Sequence, residues 1–154
     1  MKRTLVIVLV IALACAGTAF AKGPGGLTAI GVYGNFGFTG GGGGLGLSLK
    51  FGSFPVIGVK YSFTQAGYLG ATVDWHLLDA AALVDSLTLY LGVGAFAGIN
   101  FGSNDFDLGL RFPIGIQIWP IRKVELYLAG IPAVPIFPNL DFAFGAELGF
   151  RYHF

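Results

Sequence analysis

The sequence predicts an all-β fold, an eight-stranded antiparallel up-and-down barrel that crosses a membrane. Three observations carry that prediction. From Leu140 to Phe154 the chain alternates two chemistries. Phe142, Phe144, Ala146, Leu148, Phe150, Tyr152 and Phe154 share one parity, and Asp141, Ala143, Gly145, Glu147, Gly149, Arg151 and His153 share the other. Successive side chains of a strand point to opposite faces, so this segment has one apolar, aromatic face and one charged or small face. Second, the chain is 55% hydrophobic and only 11% charged. Beyond residue 21, Gly, Lys, Asp or Glu still interrupts every apolar stretch before it reaches the roughly 20 residues of a spanning helix. In hydrocarbon an unpaired backbone group costs several kcal/mol, so only helices and closed barrels span, and glycine-rich alternating strands leave the barrel. Third, about 133 residues follow Ala21, enough for one domain of eight strands of roughly ten residues with short turns.

Residues 1–21 read as an export signal. Lys2 and Arg3 are its basic start, Leu5 to Ala14 its apolar core and Ala19-Phe20-Ala21 its small-residue cleavage site, leaving 22–154 as the barrel domain. A core of this length is too short for a retained membrane anchor. An alternative takes Cys15, the only cysteine, as the lipid-modified first residue of a lipoprotein. The preceding Ala12-Leu13-Ala14 lacks the large aliphatic residue usual three positions before such a cysteine. Cleavage after Ala21 leaves no cysteine, and so no disulfide.

The strands follow in order. The first, Thr28 to Phe38, sends Ile30, Val32, Phe36 and Phe38 outward and Gly31, Tyr33 and Asn35 inward, and Gly40 to Gly44 turns it. The second, Leu45 to Phe51, turns Gly46, Ser48 and Lys50 inward, and a tight turn at 52 to 55 follows. The third, Val56 to Thr64, has Gly58, Lys60 and Ser62 inside; the fourth, Tyr68 to Leu77, has Gly70, Thr72, Asp74 and His76 inside. Residues 78 to 86 break the alternation and predict a longer turn with one helical turn. Leu87 to Asn100 is the longest clean alternation and the fifth strand. The sixth, Phe106 to Ile118, puts Asp107, Gly109, Arg111, Gly115 and Gln117 inward, and Pro113 within it predicts a local bulge. Trp119 to Arg122 turns into the seventh, Lys123 to Ile131, with Glu125 and Tyr127 inside. Pro132, Pro135 and Pro138 predict a stiff apolar loop before the eighth.

Inward positions carry whatever chemistry the chain has. Lys50, Lys60, Arg111 and Arg151 face Asp74, Asp107, Glu125, Asp141 and Glu147, nearly balanced charge among glycines and small residues. Two readings stay open: an ion-pair network filling a narrow lumen, or the lining of a small water-filled passage that eight strands keep narrow. Nine basic residues less Lys2 and Arg3 leave seven against eight acidic, so no basic field for nucleic acid arises. Two histidines and no cysteine after residue 21 predict neither a transition-metal site nor a cofactor. Gly40 to Gly44 lacks the Lys-Ser/Thr of a phosphate-binding loop and belongs to a hairpin. A soluble lipocalin-like barrel is the alternative fold, and it requires the opposite facing.

The whole stretch after residue 21, by its period-two pattern and its final outward aromatic, resembles small eight-stranded bacterial outer-membrane proteins of the OmpA, OmpX and OmpW type. That resemblance implies outer-membrane lipids around a monomer, both termini in the periplasm, and recognition of Phe150, Tyr152 and Phe154 by the barrel-assembly machinery. Loops at 39 to 44, 65 to 67, 101 to 105 and 132 to 139 then face outside, shorter than the class usually shows. Outward aromatics gather near both rims: Phe36, Phe38, Phe63, Phe142 and Phe144 at one, Phe51, Trp75, Trp119, Phe150, Tyr152 and Phe154 at the other. Lipid-modifying barrel enzymes such as the palmitoyltransferases resemble the chain in size, but they use a His with Ser and acidic partners at the outer face. His76 and His153 lie toward the periplasmic ends, so no enzyme is predicted.

Overall fold

The computed structural model describes residues 27–37, 42–63 and 67–154. The expectations placed on residues 1–21, on Cys15 and on Phe38 lie outside the described residues. Among the described residues nine strands form: β1 (Thr28–Gly37), β2 (Gly42–Phe51), β3 (Val56–Ser62), β4 (Tyr68–Val84), β5 (Leu87–Asn100), β6 (Phe106–Arg111), β7 (Ile114–Ile121), β8 (Val124–Phe137) and β9 (Ala143–His153). All pairings are antiparallel. The sheet closes on itself because β1 pairs with β2 on one side and β9 on the other. β6 and β7 lie end to end, both paired with β5 and with β8, so nine segments fill eight places of a ring.

Facing follows the alternation along β9. Glu147 is 6% exposed and the next residue, Leu148, 56%; Arg151 is 4% exposed and Tyr152 38%. Ile30, Val32, Leu45, Leu47, Val59 and Leu128 on other strands are likewise exposed. The apolar parity is thus on the outside, opposite to what a lipocalin-like interior requires. Trp119 breaks the expected aromatic rim. It is buried inside the ring, its Nε1 donating to Thr88 Oγ1 at 2.9 Å, because β7 continues to Ile121 and keeps residue 119 on the inward parity.

Several boundaries differ from the sequence reading. β2 begins at Gly42, where Gly42, Gly43 and Gly44 pair with Gly37, Phe36 and Asn35, so these three glycines belong to the strand. No turn with a helical segment occupies 78 to 86. β4 runs to Val84 through three register irregularities against β5, between His76 and Leu78, Leu78 and Ala81, and Ala82 and Val84. Bulges let one strand carry extra residues while its partner stays straight.

At Pro113 the predicted bulge is absent. β5 keeps one register through both β6 and β7, Gly94 opposite Arg111 and Leu91 opposite Ile114, and β8 does the same around Arg111 and Ile114. Gly92 N donates to Pro113 O at 2.8 Å and Phe112 N to Pro132 O at 2.9 Å, so the proline omits its own N–H bond and no more. The absent side chain of Gly92 makes room for its ring, since a Cβ there would stand 3.0 Å from Pro113 Cγ.

The proline loop also shortens. Pro132 and Pro135 lie within β8, and the link to β9 is confined to 138–142, so the last strand starts at Ala143 rather than Leu140. Pro135 sits past the last β8–β9 pair, Ala133 opposite Ala143, where no ladder partner requires its N–H.

Candidate functional site

The site is the interior of the ring. Glycines shape it first, and tyrosines rather than long charged side chains fill the space they leave. A Cβ on Gly46 would lie 2.5 Å from the ring of Tyr33, and one on Gly115 2.5 Å from the ring of Tyr90. Gly149 admits the ring of Tyr127 in the same way. Each tyrosine lies flat against a bare stretch of wall one strand away. Tyr33, Tyr90 and Tyr127 cluster with Ala129 and Ile131 as a buried apolar waist, Tyr90 meeting Tyr127 edge-on at 6.3 Å.

Below this waist, toward the end where Phe154 N donates to Thr28 O, the charges interlock around Glu125. Its Oε1 accepts from Arg151 Nη1 at 2.7 Å and Gln117 Nε2 at 3.0 Å. Its Oε2 lies 2.7 Å from His153 Nε2 and 3.9 Å from Lys50 Nζ. Lys50 Nζ pairs with Asp79 Oδ2 at 2.8 Å, and Asp79 Oδ1 also accepts from Gln117 Nε2 at 3.1 Å. His76 Nδ1 lies 3.4 Å from Asp79 Oδ1 while its ring stacks on Tyr90 at 4.8 Å. Arg151 completes the cluster, donating from Nε to Ser48 Oγ at 2.9 Å and resting its guanidinium 3.9 Å over Tyr127. Gln117 Oε1 accepts from Thr88 Oγ1 at 2.9 Å and from the backbone of Ala80 at 3.2 Å. Two amide-bridged carboxylates, two buried cations and two histidines therefore form one connected network.

A second group lies beside the waist. Arg111 Nη2 donates to Glu147 Oε1 at 2.9 Å, and its Nε stands 3.1 Å from Asp74 Oδ1, at ion-pair distance but misaligned for a hydrogen bond. Glu147 and Asp74 come from strands on opposite sides of the ring, so one guanidinium ties β6 to β9 and β4 together. Buried charges of this kind are tolerable because each has a partner; removing one partner leaves the other exposed to the full cost of desolvation.

Toward the far end the interior widens into a vestibule of about 430 Å³. Asn35, Lys60, Ser62, Tyr68, Asn100 and Asp107 line one side, and Ile131, Ala133, Pro135 and Ala143 the other. Asp141 is exposed at its rim, on the β8–β9 link, where its Oδ1 accepts from Phe142 N at 2.7 Å. It stands apart from the buried charges. Phe150, Tyr152 and Phe154 are exposed on the outer face at the opposite end, Tyr152 and Phe154 edge to face at 5.4 Å. Among the described residues no group of three or more His, Cys, Asp or Glu could hold a metal ion.

No protein-family model matches the chain, and no curated protein matches it. Among solved structures it is similar to the crystal structure of the N-terminal β-barrel domain of Pseudomonas aeruginosa OprF. The TM-score is 0.55 and the identity 13%, over 84% of this chain and 99% of that one. At that identity the likeness is one of fold, an all-β ring of the outer-membrane barrel-like kind.

Asp79 was missed by sequence reasoning, which left it in a loop. The β4 irregularities after His76 turn it inward, and nothing in LDAAALV marks where those extra residues fall. Gln117, Thr88 and Trp119 sit on inward parities that the alternation does reveal. Their role as bridges among the charges depends on which strands the ring sets opposite one another.

Proposed function

We propose that the chain is an integral outer-membrane β-barrel with a structural, passive role, its lumen closed by the ion-pair network below the tyrosine waist. The network around Glu125 carries this reading. Its acids and bases are committed to one another at hydrogen-bond distance, and they sit beneath three rings packed into the wall. A passage for solute would require these groups to part, which costs several kcal/mol for each charge left unpaired.

The exposed apolar parity and the aromatics at both rims support outer-membrane lipid as the surroundings of a monomer. On the same reading residues 1–21 are the export signal and 22–154 the barrel, with both termini on the periplasmic side. Phe150, Tyr152 and Phe154 form the outward motif read by the barrel-assembly machinery. His76 and His153 are held by carboxylates inside the network, which supports a positional rather than a catalytic role for them.

Planar-bilayer recordings of the refolded protein test the proposal. Silence at protein loads that give full insertion is the expected result. Discrete, reproducible openings would overturn the closed lumen in favour of a narrow channel.

A further inference from the structure

The vestibule above the waist holds a cation, Lys60, and an anion, Asp107, that the network does not use, with a second acid, Asp141, at the exposed rim. Lys60 Nζ has no carboxylate within salt-bridge distance among the described residues; its polar contact is Asn35 Oδ1 at 3.4 Å, and it stands 5.5 Å over the ring of Tyr68. Asp107 is held by the hydroxyl of the same tyrosine, which donates to its carboxylate at 2.8 Å and 3.0 Å from the two oxygens. One tyrosine thus touches both charges, its ring under the ammonium and its hydroxyl on the carboxylate, and the two form no salt bridge.

The wall is built to hold that spacing. Gly98 leaves the room that the Tyr68 ring occupies, and a Cβ there would also stand 2.7 Å from Asp107 Oδ1. Gly70 underlies the lysine stem, with Lys60 Cε 3.1 Å from where its Cβ would be. Across the vestibule Ile131, Ala133 and Pro135 give an apolar wall, with Asp141 at its exposed rim. At about 430 Å³ the space falls within the size range of small-molecule sites, which combine apolar walls with a few placed polar groups.

We propose that this vestibule binds a small zwitterion bearing an apolar side chain, of the free amino acid class, with its carboxylate on Lys60, its ammonium on Asp107 and its side chain against the Ile131, Ala133 and Pro135 wall. A lone anion would leave Asp107 facing it, and a lone cation would leave Lys60 facing it. A molecule with both charges satisfies the two together. The site goes beyond the closed-lumen reading and does not depend on it, because the ligand enters and leaves at the same end.

Calorimetric or saturation-transfer titration of the refolded protein decides it, using L-leucine, 4-methylpentanoate, which lacks the ammonium, and 3-methylbutylamine, which lacks the carboxylate. Saturable leucine binding is expected, with each analogue weaker by about tenfold, the loss expected for one charge-assisted hydrogen bond. Lys60→Met should weaken leucine and 4-methylpentanoate but leave the amine unchanged, and Asp107→Asn should do the reverse. Heat-modifiable gel mobility checks that both variants fold; should either fail, the analogue series on the parent protein still decides. Absence of saturable leucine binding would overturn the proposal, as would analogues that bind as tightly as leucine or folded variants that bind all three ligands like the parent.

Discussion

Glu125 has its side chain wholly out of solvent and takes Arg151, Gln117, His153 and Lys50 at once. Replacing it by a residue of similar size without charge leaves Arg151 to its serine contact and Lys50 to Asp79 alone. Glu125→Leu should therefore cost about 3–5 kcal/mol, the usual penalty for breaking a buried pair from one side. Urea unfolding of the protein in lipid vesicles, followed by heat-modifiable mobility, measures it. Tyr33→Phe is the contrast. That hydroxyl is buried with no hydrogen bond to the described residues, so its removal should change stability by less than about 1 kcal/mol. At this scale the sequence was informative about Glu125, Arg151 and Lys50, whose inward parity is plain. It was silent about Asp79, whose direction depends on irregularities in β4 that carry no local signature.

Strands and their neighbours set the next scale, where glycine on one strand and tyrosine on the next act as a pair. Gly46→Val should cost about 1–3 kcal/mol, because the new side chain overlaps the Tyr33 ring and the wall behind it is continuous backbone. Combined with Tyr33→Ala the penalty should shrink, giving a coupling of roughly 0.5–3 kcal/mol in a double-mutant cycle. Strictly additive losses would mean that the ring does not occupy the glycine's space. Pro113 shows the opposite case. It reads as a defect in the sequence, yet in the ring it costs one ladder bond while both partner strands hold register across it. Proline predicts that a bond is missing; whether the strand also shifts depends on the neighbours, and Gly92 leaves the room that makes a shift unnecessary.

Across the whole molecule, facing decides the surroundings. Leu128 lies at the middle of β8, opposite Ile116 and Leu148, and is half exposed on the outer face. On the membrane reading Leu128→Arg should cost about 2–4 kcal/mol in a bilayer. Equal stability of parent and variant in liposomes would instead place that face in water. The outward aromatics of β9 bear on assembly rather than on the finished fold. Phe154 is 65% exposed, so Phe154→Ala removes little buried area and should leave refolding into liposomes intact. In cells it should lower the outer-membrane level of the protein, read by membrane fractionation, and unchanged levels would remove Phe154 from the assembly motif.

By itself the sequence determined that the chain is all-β, which residues share a face, and that one face carries balanced charge among glycines. These are period-two properties, local enough for each strand to declare them separately. Closure of the ring decided the rest. It set Glu125 on β8 within reach of Lys50 on β2, Arg111 on β6 between Asp74 on β4 and Glu147 on β9, and Lys60 outside salt-bridge distance of any acid among the described residues. Such contacts join strands distant in the chain and depend on the register of each pairing around the circuit. A single extra residue, as in β4 beyond His76, moves a side chain from one face to the other without altering the composition that a linear reading sees.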